Sequence, residues 1–219
     1  MNIKTELDVA LTNDDATTLQ NSKPVLAKPT KKRSSAKAKN TADHNVQMPS
    51  HLYDTIVVGA GISGIAAAVK LSKVGYDNYI VIEKADRVGG AWRENTYPGC
   101  GCDVPSALYS FSFAPSYKWS HLFAKQPEIL SYLEDVVDQF DLKQKIEFNN
   151  ELMNAKWDED KHLWQLETQK GIYQAKTVIF STGPITEPSM PRLKGIETFK
   201  GEMFHSARWN HDCELSAKR

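Results

Sequence analysis

The chain has 219 residues, 41% hydrophobic and 25% charged, with a formal net charge of zero at pH 7. That is enough for one good-sized domain or two small ones, with no global field drawing it to nucleic acid or an anionic membrane. No apolar run could span a bilayer, the N-terminus lacks the apolar core of a secretory signal, and three cysteines make no disulfide framework, so a cytoplasmic protein with reduced thiols is expected.

Residues 1–50 have no sustained apolar period. Between Asn21 and Asn40 they carry Lys23, Lys28, Lys31, Lys32, Arg33, Lys37 and Lys39 and no acid. Such a segment buries too little apolar surface to offset its ordering entropy, so a disordered basic tail is predicted. The alternative is a nucleic-acid or targeting arm around Lys31-Lys32-Arg33. No aromatic residue interleaves with the charges to form a stacking platform, so no nucleic-acid partner is expected.

Order is predicted to begin near Leu52. Tyr53–Val58 has the β-branched composition of a buried parallel strand, and Gly59-Ala-Gly-Ile-Ser63-Gly64 follows at once. Ile65–Leu71 reads as a helix rich in small residues, and Tyr79–Ile82 as a second strand ending in Glu83. This is a complete dinucleotide-binding unit. Gly59 permits the tight turn, Gly61 lets the backbone approach a pyrophosphate, and Gly64 lets helix and strand pack closely. The helix N-terminus offers free N–H groups to the phosphates. Glu83 is spaced to accept from a ribose 2′-hydroxyl, and its charge disfavours a 2′-phosphate, which leaves FAD or NAD.

Asp86-Arg-Val-Gly-Gly-Ala-Trp92 follows within a few residues, and the run continues through Tyr97-Pro-Gly-Cys-Gly-Cys-Asp103. Trp92 and Tyr97 could equally be core aromatics, and Asp103 a turn residue. Cys100 and Cys102 have no second Cys/His pair at matching spacing, so no metal is predicted. Pro127–Phe140 is an amphipathic helix, with proline and Glu128 in its first turn and Ile129, Leu130, Leu133, Val136, Val137 and Phe140 on its apolar face. Lys145–Phe148, Asn154–Trp157 and Trp164–Thr168 read as short strands forming a three-stranded meander. Thr177–Phe180 is a further buried strand. It runs into Ser181-Thr-Gly-Pro184, where glycine permits close approach to a cofactor. Pro184, Pro188 and Pro191 then stiffen an extended linker.

Near the end stands Phe199-x-Gly201-x-x-x-His205-x-x-x-Trp209, with Asn210 after it. This spacing resembles the fingerprint of Baeyer-Villiger monooxygenases, where Pro or Asp commonly follows the tryptophan. Glu83-Lys-x-x-x-x-Gly-Gly-x-Trp92 is similar to the wider flavin-containing monooxygenase superfamily. Gly90-x-Trp92-x-x-x-x-Tyr97-Pro-Gly99-x-x-x-Asp103 matches a second Baeyer-Villiger signature.

The resemblance implies an α/β, FAD-binding, Rossmann-like three-layer domain over residues 51–183: a parallel sheet with helices and a small β-meander, incomplete in this chain. Residues 184–219 would be a linker toward an NADPH domain. Ala91, Trp92, Arg93 and Glu94 should line the flavin. Tyr109 should touch the cofactor, Gly101 and Cys102 should face the nicotinamide nucleotide, and Leu152 should contact adenine. Asp103 should lie near the isoalloxazine and act through an active-site arginine, and His205 should position the linker. The implied reaction uses NADPH, dioxygen and a flavin C4a-peroxide to convert a ketone to an ester or lactone. The chain holds no second G-x-G-x-x-G, so the expectation is an N-terminal fragment, inactive alone. An N- or S-oxygenating flavin monooxygenase and a non-catalytic flavin-binding remnant are the alternatives.

Overall fold

The computed structural model describes residues 51–185 and 187–216, and the tail expected at 1–50 lies outside them. Strand β1 (Leu52–Val58) leads through helix α1 (Ile62–Lys73) to β2 (Tyr79–Ile82). A single helical turn, α2 (Ala91–Glu94), and helix α3 (Gln126–Gln139) follow. Then come the two-residue β3 (Ile146–Glu147), β4 (Leu152–Asp158), β5 (Leu163–Thr168) and β6 (Gly171–Phe180).

The six strands form one mixed sheet in the order β3-β2-β1-β6-β5-β4. Strands β3, β2, β1 and β6 run parallel, and β6, β5 and β4 run antiparallel. Two expectations change here. The meander consists of β4, β5 and β6, whereas residues 145–148 contribute β3 to the parallel edge. Two residues carry no pairing preference of their own; the α3 crossover delivers them beside β2, and crossovers pair strands in parallel. The last strand is also longer than its apolar core suggests. Residues 171–175 pair antiparallel with β5, residues 174–180 pair parallel with β1, and Gln174 and Ala175 belong to both ladders.

The period-2 alternation of β1 and β2 divides the interior into two layers. Val57, Tyr79 and Val81 face α1 and α3, packing with Ile65, Ala68, Val69, Leu133, Val136 and Val137. Ile56, Val58 and Ile82 face the other way, onto Leu166, Ala175 and Trp164 of the meander. Helices, sheet and meander make the three layers. Among the described residues no helix is long and apolar enough to cross a membrane.

Candidate functional site

The β1–α1 turn is built by main-chain contact. Gly59 has φ +98°, and a Cβ there would lie 2.7 Å from the Ser181 carbonyl oxygen. A Cβ on Gly64 would lie 1.8 Å from the Gly59 carbonyl oxygen, so the first turn of α1 rests directly on the end of β1. Gly61 caps α1 and faces the second glycine loop, with a Cβ there reaching 3.6 Å from Gly90 Cα. The helix starts with no acidic residue in its first turn, leaving its positive end to an external anion.

Glu83 leaves β2 buried, 4% exposed. Its Oε2 accepts the Ala60 N–H at 2.7 Å and its Oε1 accepts the Ala85 N–H at 3.0 Å, joining the β2 end to the glycine turn. Arg93 Nη1 donates to the same Oε1 at 3.3 Å and to the Arg87 carbonyl at 2.5 Å. Arg93 Nη2 meets Glu94 Oε1 at 2.6 Å, and Glu94 Oε2 is 3.0 Å from Arg208 Nη1. Two carboxylates and two guanidiniums thus run in line from the dinucleotide turn to the fingerprint segment.

These parts enclose a cavity of about 610 Å³, within the roughly 300–1,000 Å³ usual for small-molecule and cofactor sites. Of the residues singled out in the sequence, Gly59, Gly61, Ser63, Glu83, Ala91, Trp92, Arg93, Tyr109 and Leu152 line it. The Ser181–Ile185 segment closes one side, as its glycine suggested. Trp92 Nε1 donates to the Tyr109 hydroxyl at 2.9 Å, with the rings edge to face at 5.6 Å. Burial raises the Tyr109 phenol above its ordinary range; the Trp92 N–H opposes this, and Cys102 and Asp103 add to it.

The remaining candidates lie off this wall. Gly64 sits behind it, and Glu94 turns toward Arg208. Gly101 bridges Lys125, and the buried Cys102 donates its N–H to the Ala124 carbonyl at 2.8 Å. Asp103 is exposed beside Tyr109. His205 is half-buried and starts a short helical turn, Ser206–Arg208, its Nδ1 accepting the Ala207 N–H at 3.0 Å. The fingerprint segment is thus largely a loop, with one such turn. Lys84, which stands in the Glu83–Trp92 motif, lines the wall too, and sequence reasoning missed Asn150, Glu151 and Glu187 there. Only the turn-favouring Asn149-Asn150 pair offered a signal, with Asn149 at φ +52°. Among the described residues no three His, Cys, Asp or Glu side chains assemble that could hold a metal ion.

A family model described as pyridine nucleotide-disulphide oxidoreductase matches residues 56–215. The chain belongs to that family. It is 46% identical over 163 residues to a Baeyer-Villiger monooxygenase of Streptomyces coelicolor, covering 74% of this chain and 31% of that protein. A Baeyer-Villiger monooxygenase of Pseudomonas aeruginosa is 43% identical over 164 residues, with the same two shares. Among solved structures, cyclohexanone monooxygenase from Rhodococcus sp. Phi1 bound to NADP+ superposes with a TM-score of 0.69 at 39% identity, over 77% of this chain and 32% of that one. A complex of OTEMO with FAD and NADP gives 0.68 at 35% identity, over 76% and 32%. The resemblance to the N-terminal portion of Baeyer-Villiger monooxygenases is thereby borne out, as is the α/β fold. The chain spans about a third of the length of the curated relatives it matches.

Proposed function

We propose that residues 51–183 form the FAD-binding part of a Baeyer-Villiger-type monooxygenase and that residues 184–219 form a strap leading out of it. The observation that carries this reading is the single cavity running from the glycine turn and Glu83 to Trp92 and Tyr109. The donor set fits FAD. Backbone N–H groups at the start of α1 suit a pyrophosphate, and the Gly59–Gly64 and Gly89–Gly90 loops leave a cradle that side chains would fill. Glu83 has used three of roughly four carboxylate lone-pair sites, leaving capacity for a ribose hydroxyl. Glu151 and Leu152 line the same cavity, as do Ala91–Arg93 and Tyr109.

Bound FAD would supply the redox and oxygen chemistry; the residues supply position and water exclusion. NADPH, dioxygen and a ketone giving an ester or lactone are proposed for the whole protein to which these residues contribute. Exposed beside the flavin end, Asp103 would pair with an arginine from outside the described residues. His205 would hold the strap through its bond to Ala207 and take no part in proton transfer.

The test is titration of the purified 219-residue chain with FAD, followed by flavin fluorescence, and then NADPH oxidation with and without a ketone. Saturable one-to-one FAD binding without ketone-dependent NADPH loss is expected. A chain that binds neither FAD nor ADP would sink the reading. Ketone-dependent NADPH consumption would show that these residues suffice for turnover.

A further inference from the structure

Behind the cavity wall at Asn150–Leu152 lies a polar cluster that no motif in the sequence reaches. The main chain of Glu83 is clasped on both sides there: its N–H donates to the Glu147 carbonyl and its carbonyl accepts the Asn150 N–H, each at 2.9 Å. The side chains of the two clasping residues meet on one atom. The Tyr173 hydroxyl, presented by β6, donates to Glu147 Oε2 at 2.7 Å and accepts from Asn150 Nδ2 at 3.2 Å. Asn150 Oδ1 accepts the Lys170 N–H at 3.2 Å, so both ends of a carboxamide only 1% exposed are used. The Lys170 ammonium lies 3.3 Å from Glu147 Oε1. Burial, then the Glu147 carboxylate, push the Tyr173 phenol well above its ordinary range. It therefore remains a hydrogen-bond donor at every physiological pH.

Apolar packing could hold the meander to the sheet equally well, since buried polar groups carry a desolvation cost unless every partner is met. What directional bonds add is a fixed distance and angle. The group so fixed is Glu83, which reaches across to the Ala60 N–H of the glycine turn and lines the cavity. We infer that Tyr173 and Asn150 are positioning residues for the adenosine end of a bound dinucleotide. The hydroxyl pins Glu147 and Asn150, and these set the depth at which the Glu83 carboxylate spans the glycine turn and the cavity. The inference rests on the FAD-binding reading and extends it to residues outside the glycine motif.

Titrating Tyr173→Phe with FAD and with ADP, which carries only the adenosine diphosphate half, tests it. Losing both hydrogen bonds of the hydroxyl and stranding the buried Asn150 amide donor predicts about a tenfold weaker affinity, equal for the two ligands because the loss lies in the half they share. Glu147→Gln keeps an acceptor for the phenol and is expected within about twofold of the unmodified chain; Glu147→Leu removes it and is expected to match Tyr173→Phe. A lower melting temperature with unchanged ADP affinity would make the cluster a structural prop and overturn the inference, as would a loss for FAD without one for ADP. If Tyr173→Phe does not fold, equal ADP affinity in the two Glu147 variants overturns it. Failure of the unmodified chain to bind either ligand overturns the FAD reading and this inference together. Binding by the unmodified chain, matched by Tyr173→Phe, overturns this inference alone.

Discussion

The glycine turn at residues 59–64 and the strap at residues 184–216 are both marked by short motifs, yet they are held in opposite ways. The turn is backbone against backbone, with Gly59 on Ser181 and Gly64 on Gly59. The strap is tied by side chains: Arg208 to Glu94 at 3.0 Å, His211 Nε2 to Thr96 Oγ1 at 2.8 Å, and Glu187 to Lys84. Its apolar residues Ile185, Leu193, Phe199 and Met203 remain exposed. Main-chain packing has no adjustable part, whereas side-chain ties can be released one at a time. Gly64→Ala therefore carries the largest expected effect. Its Cβ would sit 1.8 Å from a carbonyl oxygen, so helix and strand must separate, at a cost of about 3 kcal/mol or more. Gly61→Ala meets nothing closer than 3.6 Å and should fold almost as stably while losing FAD affinity. Urea unfolding followed by circular dichroism checks this, and equal stability in the two variants would break the comparison.

Glu94 allows the two regimes to be compared on one carboxylate. From inside it is held by Arg93, whose side chain is 7% exposed, and from outside by Arg208, at 46%. Arg93→Ala strands the buried Glu83 carboxylate as well, and should cost about 3 kcal/mol. Arg208→Ala breaks a partly solvated pair and should cost less than about 1 kcal/mol. Its signature should instead be faster proteolytic cleavage within the strap, with the urea midpoint unchanged. A midpoint shift as large as that of Arg93→Ala would show that the strap is part of the cooperative core.

What was legible in the sequence follows the same division. Strands β1 and β2 and helix α3 announce themselves because local composition and period decide them: β-branched runs bounded by glycine, and apolar residues returning every third or fourth position. The place of Ile146–Glu147 beside β2 was not legible, because a two-residue strand takes its partner from the crossover that delivers it. The double pairing of Gln174 and Ala175 was hidden for a similar reason, since no local pattern states that one strand serves two ladders. In the site, the glycine positions and Glu83 were legible from spacing. The ties of Glu94 to Arg208 and of Asn150 to Tyr173 were not, because each joins residues far apart in sequence through polar groups that leave no periodic trace.

The smallest expected effect is alkaline, and it falls on one region only. Tyr53, Tyr79, Tyr109, Tyr132 and Tyr173 are all held above the ordinary phenol value of 10.0, with burial the first cause in each. All five lie in the sheet-and-helix part, and the strap contains no tyrosine. A phenol whose folded-state pKa is raised ionises more readily in the unfolded chain. Its contribution is therefore complete below the ordinary value and is lost as pH rises past it. The urea midpoint should hold from pH 8 to about 9.5 and fall above pH 10. Tyr173→Phe removes one such group, the one facing Glu147, so its midpoint should fall less over the same interval even though it starts lower. An equal fall in the variant would show that the Tyr173 phenol does not couple to folding, and would leave the alkaline loss to the other four and to Tyr97, whose phenol the Cys100 side chain raises.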